Sequence, residues 1–104
     1  MSHRNVRVTN LDVALRPVAG AADNVLAVST GAVKAAALAD ATRHVLYGVE
    51  GDVRVKFDGT APTASVGIWI RDGSTGTMSR EMFAAAQWIS KTGSAASLSY
   101  AQLG

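Results

Sequence analysis

The chain has 104 residues, with ten Lys and Arg against eight Asp and Glu and no cysteine. This length suits one domain around one core, and a chain without cysteine cannot build disulfides or thiolate metal sites. The basic residues are scattered, which argues against nucleic-acid binding, and no apolar run approaches the ~18 residues of a membrane span.

The surface is expected to be poor in charge. Charged residues make up 17% of the chain, whereas about 25% is usual for a globular domain. A surface that charge solvates poorly favours burial against other subunits. We therefore expect a homo-oligomer, or a chain that docks on other proteins. A fold without disulfides also suits assembly in a reducing cytoplasm.

The first third of the chain reads as short β-strands. Apolar residues alternate at Val6 and Val8 and then with opposite parity from Leu11 to Leu15, which indicates a bulge near Asn10 or two strands. Residues 1–4 could form a flexible arm. Residues 25–28 predict another strand. The alanine-rich segment 32–41 fits a helix by propensity or a strand by alternation, and we favour the strand.

A β-hairpin is the clearest local prediction. Residues 43–50 and 53–58 alternate apolar and polar side chains around Gly51, which tolerates the positive φ of a turn. One register places six apolar side chains on one buried face. The facing pairs are Val49 with Val53, Tyr47 with Val55 and Val45 with Phe57. The same register pairs His44 with Asp58 and Leu46 with Lys56 on the other face.

Further strands follow the turn cluster at 58–63. Val66, Ile68 and Ile70 share one strand face and Trp69 takes the other, before a loop over 71–76. Residues 79–91 fit a helix with Ser79 as its N-cap, or a strand over 85–90, and we favour the strand. The last predicted strand has Ala96, Leu98 and Tyr100 inward and two serines outward.

Seven or eight short strands with turn signals between them indicate an all-β fold. We predict an antiparallel β-sandwich, jelly-roll-like, as a single domain over residues 1–104.

No catalytic or metal constellation is apparent in the sequence. His3 and His44 are the only histidines, and a pair of His44 with Asp58 is better read as a polar cross-strand contact than as a dyad. Glu50 and Asp52 flank a turn and could hold a cation weakly, although solvated turn acids are the favoured interpretation. We predict no enzyme, no catalytic residue, no cofactor and no metal.

Docking is expected to use an aromatic and basic set of side chains. Trp69 alternates away from its apolar neighbours, so it is either core or interface, whereas Trp88 is expected in the core. The predicted interface residues are Trp69, Arg71, Arg54 and Lys56.

The segment from Tyr47 to Gly67 resembles small structural proteins of tailed bacteriophages. Its Val-Glu strand end, its Val-Arg-Val strand and its Asp-Gly-Thr-Ala-Pro-Thr turn carry the likeness, which extends loosely over residues 43–101. The step Gly67-Ile-Trp-Ile departs from the pattern. The resemblance implies a β-sandwich without enzymatic residues, located in the virion.

The resemblance further implies a capsid cement or decoration protein whose partner is the major capsid protein or another virion protein. A neck or tail component is the first alternative. A small carbohydrate-binding module, with Trp69 stacking on a sugar, is the second. Neither nucleic acid nor a membrane is expected as a partner.

Overall fold

The computed structural model of the protein describes residues 24–104. The strands are β1 (Asn24–Val28), β2 (His44–Glu50), β3 (Val53–Lys56), β4 (Ile68–Ile70), β5 (Thr75–Ser79), β6 (Gln87–Ser90) and β7 (Ala96–Leu103), and the helix is α1 (Arg80–Ala85). The predictions for residues 1–4, for His3 and for a bulge near Asn10 lie outside the described residues.

The strands form two antiparallel sheets. The first has four strands in the order β1-β7-β2-β5, and the second has three in the order β4-β3-β6. Buried side chains from both sheets form one apolar cluster. The prediction of an all-β, antiparallel, sandwich-like fold is therefore confirmed, whereas this strand order does not confirm the jelly-roll topology.

The predicted hairpin is wrong, because β2 and β3 belong to different sheets. β2 pairs with β5 and β7, and β3 pairs with β4 and β6. His44 therefore lies opposite Ser79 and Leu103 rather than Asp58. Leu46 lies opposite Thr77 and Ala101 rather than Lys56.

The buried face of that segment was nevertheless predicted correctly. Val45, Val53 and Val55 are fully buried, and Val49 is almost so. Tyr47 and Phe57 are half-buried against the same cluster. Strand alternation reports which side chains point at the core. Two strands in facing sheets satisfy that pattern as well as a hairpin does.

Trp88 is the largest fully buried side chain of the core. Its ring centroid lies 6.1 Å from that of Tyr47 and 6.3 Å from that of Phe83. Phe83 in turn lies 4.8 Å from Tyr100. Among the residues that the structure describes, the indole N–H of Trp88 finds no acceptor, so this ring stabilises the core by apolar packing.

The alanine-rich segment 32–41 forms neither of the two predicted elements. Only Val33 makes a β-bridge, with Trp88. Side chains from elsewhere bind the end of the segment: Gln102 Oε1 accepts from the Ala39 N–H at 2.7 Å and from the hydroxyl of the adjoining Thr42 at 2.8 Å. Arg80 donates to the Ala39 and Thr42 carbonyls. These bonds satisfy backbone groups that a helix or strand would otherwise pair.

The segment 79–91 contains both predicted elements in succession. Ser79 caps α1 by accepting from the Met82 N–H at 3.2 Å, as the helical interpretation requires. The helix ends at Ala85 and β6 begins at Gln87. The prediction treated helix and strand as alternatives for this segment, whereas the chain forms both, one after the other.

Two strand boundaries differ from the predictions. Residues 75 and 76 were expected in a loop but begin β5. This strand pairs with β2, for which the segment 53–58 was the predicted partner. Val66 was expected in a strand but precedes β4 and is 52% exposed. The sequence Thr-Gly-Thr-Met-Ser has one large apolar residue and therefore lacks the alternation that marks a half-buried strand, yet it pairs with β2.

Gly51 lets the chain pass from one sheet to the other. Its φ is +87°, and a Cβ placed there would lie 2.8 Å from the Cβ of Ala96 at the start of β7. Any side chain would push the β2–β3 connection away from β7. The crossing therefore requires glycine for both backbone conformation and space.

Gly51→Ala is expected to destabilise the protein more than Gly59→Ala. Gly59 has a similar φ of +85° with nothing within 4 Å of its Cβ position, so it carries only the conformational cost of about 1–2 kcal/mol. Gly51→Ala adds an overpacking cost of about 1–3 kcal/mol. Denaturant unfolding of both variants measures the difference, and equal losses would contradict the close approach.

Candidate docking faces

All four predicted interface residues lie on the outer side of the three-stranded sheet. Arg54 and Lys56 alternate with the buried Val53 and Val55 on β3. Arg54 lies opposite Trp69 of β4, and the Arg71 guanidinium carbon is 4.5 Å from the Trp69 ring centroid. We call the surface formed by Arg54, Lys56, Trp69, Arg71 and Lys91 the basic face.

Trp69 is the centre of the basic face. It is 42% exposed, and the Nζ of Lys91 lies 4.5 Å from its ring centroid, as Arg71 does. Trp69 was expected either in the core or at an interface, and its exposure excludes the core, whereas the interface stays a prediction. Lys91 was not predicted. It follows β6, two strands away from β4, and no local sequence pattern connects it to Trp69.

Arg54 and Lys56 already have partners within the chain. Arg54 donates from Nε to the Ala64 carbonyl and from Nη1 to the Gly67 carbonyl, each at 2.8 Å. Lys56 forms an ion pair with Asp58 at 3.6 Å. These two side chains therefore hold the connection between β3 and β4, and less of their binding capacity is left for a partner.

The connection between β3 and β4 folds back over the outer side of the three-stranded sheet. Pro62 is buried. Gly67 has φ +130°, and a Cβ placed there would lie only 3.2–3.3 Å from the Val55 carbonyl, Arg54 and Pro62. Ile89 faces outward in register with Arg54 yet is only 8% exposed. A shallow depression of about 440 Å³ remains between Pro62, Thr63 and Lys91.

Acidic side chains near the basic face support turns. Asp72 Oδ1 accepts from the Gly51 N–H at 2.9 Å, and Asp52 Oδ1 accepts from the Asp72 N–H at 2.8 Å. Asp58 accepts from the Thr60 hydroxyl and N–H, and these bonds, followed by the charge of Lys56, hold the pKa of Asp58 below its usual value. This contribution to stability is present above the usual pKa of Asp and is lost as pH falls through the lowered value.

The four-stranded sheet presents a second outer face, which differs in character. Its outward positions carry small or apolar side chains, and only His44 and Glu50, at the two ends of β2, can carry charge. Val25 is 70% exposed and Leu46 is 45% exposed. A depression of about 440 Å³ lies beside Leu46, above Gly48, where no side chain fills the face. We call this surface the uncharged face.

Within residues 24–104, the remaining ionisable groups form no ion pair with one another. A depression of about 550 Å³ at one end of the four-stranded sheet includes Arg43, His44 and Glu81. No carboxylate lies within ion-pair distance of His44 in residues 24–104. No group of three or more potential metal ligands occurs in that part of the chain either. Glu50 ends β2 and is exposed, whereas Asp52 is half-buried and its carboxylate accepts from the Asp72 N–H.

A comparison of the chain with protein-family models, with curated proteins and with solved structures finds no match. The likeness of Tyr47–Gly67 to phage structural proteins therefore stays a prediction. In residues 24–104 the single helix, α1, has six residues, and no helix is long and apolar enough to cross a membrane.

Arg54→Ala is expected to destabilise the protein more than Lys56→Ala. Arg54 loses two hydrogen bonds from a charged donor to loop carbonyls, which are worth about 1.5–3 kcal/mol. Lys56→Ala removes a surface ion pair, which contributes little. Urea unfolding of both variants measures the loss of unfolding free energy. A smaller loss for Arg54→Ala than for Lys56→Ala would show that the hydrogen bonds of Arg54 to the loop carbonyls do not stabilise the fold.

Proposed function

We propose that this chain is a structural protein of a tailed-bacteriophage virion, a capsid cement or decoration protein. It would stabilise the head by docking as an oligomer across capsid subunits. The partners on this proposal are further copies of the chain and the major capsid protein or other virion proteins. Its place is the virion, assembled in the host cytoplasm.

The observation that carries the proposal is the uncharged face. A sheet with one side on the core and one side on water usually alternates apolar and polar residues, but here the outward side is nearly without charge. Val25 and Leu46 expose apolar area that association would remove from water. A subunit that binds only the folded state also raises particle stability by mass action.

The charges at the edge of this face suit pairing of two copies. His44 and Glu50 are six positions apart on β2, or about 20 Å in a strand. If two copies stack with their β2 strands antiparallel, Glu50 of each copy lies over His44 of the other. A two-fold interface is self-complementary in this sense, and the uncharged centre brings no like charges together.

The same observations fit a neck or tail component, which also buries sheet faces against other subunits. The number of copies per particle separates the two places. A carbohydrate-binding module receives less support, because sugar stacking needs an open ring face and two cations already lie 4.5 Å from the centroid of Trp69.

Leu46→Asp is expected to abolish self-association, because it places charge at the centre of the uncharged face. Met82→Asp is the matched control, since Met82 is also 45% exposed but lies on α1. Sedimentation equilibrium should give an oligomer for the wild type and for Met82→Asp, and a monomer for Leu46→Asp whose circular dichroism spectrum shows that it is still folded.

The same three proteins are then mixed with empty phage shells of the genome that encodes the chain, and bound protein is measured after sedimentation of the shells. The wild type and Met82→Asp should co-sediment and raise the temperature at which the shells rupture. A wild-type protein that is strictly monomeric and fails to bind the shells would refute the proposed function.

A further inference from the structure

We propose that Trp69, Arg71 and Lys91 form a binding site for two carboxylates carried on an extended acidic segment of a partner protein. This inference deepens the proposed function by naming the chemistry of the partner surface, and it rests on that function only in taking the partner to be a protein. The site is the exposed part of the basic face.

Two unpaired cations on one aromatic ring are the first argument. Each lies 4.5 Å from the Trp69 centroid, so at most about 9 Å separates them. Neither Arg71 nor Lys91 forms an ion pair or a side-chain hydrogen bond within residues 24–104. The ring attracts both cations, whereas the cations repel each other. An anion between them would remove that repulsion.

The two nearby acids accept hydrogen bonds from backbone N–H groups and form no ion pair with Arg71 or Lys91. Asp72 accepts from the Gly51 N–H, and Asp52 accepts from the Asp72 N–H. Both carboxylates hold the corner where β2 passes into β3, next to the close approach at Gly51. The chain therefore keeps two cations in place on Trp69 and uses its own adjacent acids elsewhere.

An extended segment can present carboxylates at a compatible spacing. Alternate residues of a strand lie on one side and about 6.6 Å apart, which is below the upper limit of about 9 Å that the two ring distances set for the separation of Arg71 and Lys91. A guanidinium binds a carboxylate with two parallel hydrogen bonds, and an ammonium binds the second as a compact charge. The 42% exposure of Trp69 leaves apolar area for the segment to cover.

A nucleic acid fits the site less well. Binding of a single strand uses a continuous positive groove along several phosphates together with aromatic platforms. Here two cations have no acidic partner among residues 24–104, and the other two of the basic face are bound to loop carbonyls or to Asp58. Asp52 and Asp72 lie at the adjoining corner. The observations therefore favour a protein with paired acidic residues.

The probe is a synthetic peptide with two glutamates separated by one serine, and its isomer with adjacent glutamates is the spacing control. Binding is followed by tryptophan fluorescence, since Trp69 is exposed and Trp88 is buried. The wild type should bind the alternating peptide at least threefold more tightly than the isomer. Raising salt from ~50 to ~500 mM should weaken binding.

The double variant Arg71→Glu with Lys91→Glu should weaken peptide binding more than tenfold, and each single alanine variant several-fold. Lys34→Glu is the charge control, because Lys34 is exposed and lies outside the basic face. It should change binding less than twofold. Trp69→Phe should remove most of the fluorescence response while an anisotropy readout with labelled peptide still reports binding.

Three outcomes would overturn the inference: no binding of the alternating peptide by folded wild type, an equal loss in Lys34→Glu, or tighter binding of an oligothymidylate, which would indicate a nucleic-acid site. Circular dichroism confirms that each variant is folded.

If shells bind the wild type and the double variant equally, the inference fails and the proposed function stands. If the peptide binds but shells do not, the function fails and the acidic-segment site stands.

Discussion

The architecture depends on the close passage of Gly51 past Ala96. There the chain leaves the four-stranded sheet and enters the three-stranded one, with a positive φ and no space for a Cβ. Because β2 and β3 separate at this point, their valines approach one core from opposite sides. Asp52 and Asp72 hold the same corner through backbone N–H groups. One backbone requirement therefore gives the protein two layers and two outer faces.

The two outer faces differ in what they can bind. The uncharged face can meet a copy of itself, because neither side brings charge to the centre of the contact. The basic face cannot pair with itself in this way, since Arg71 and Lys91 would meet cations. A protein with these two faces can bind a further copy of itself through the uncharged face. At the same time it can bind an acidic partner protein through the basic face. This division of roles is the basis of the proposed cement function.

Sequence reasoning found the fold class and the inward side chains, because alternation depends only on which face is buried. It could not find the partner of β2, since two strands in facing sheets show the same alternation as the two strands of a hairpin. It missed β5, which has Met78 as its one large apolar residue and so shows no apolar alternation, although it pairs with β2. It named Trp69, Arg71, Arg54 and Lys56 as interface residues, which stays a prediction, whereas Lys91 joins them only through the order β4-β3-β6. Nor could it tell that Arg54 is engaged by the loop carbonyls of Ala64 and Gly67.

The most direct test of the account is a cryo-electron microscopy map of the particle whose genome encodes this chain. The account predicts density for the two-sheet fold on the shell, with Leu46 buried between copies and Trp69 against an acidic stretch of the underlying subunit. A particle without this chain, or one in which both Leu46 and Trp69 face solvent, would contradict it.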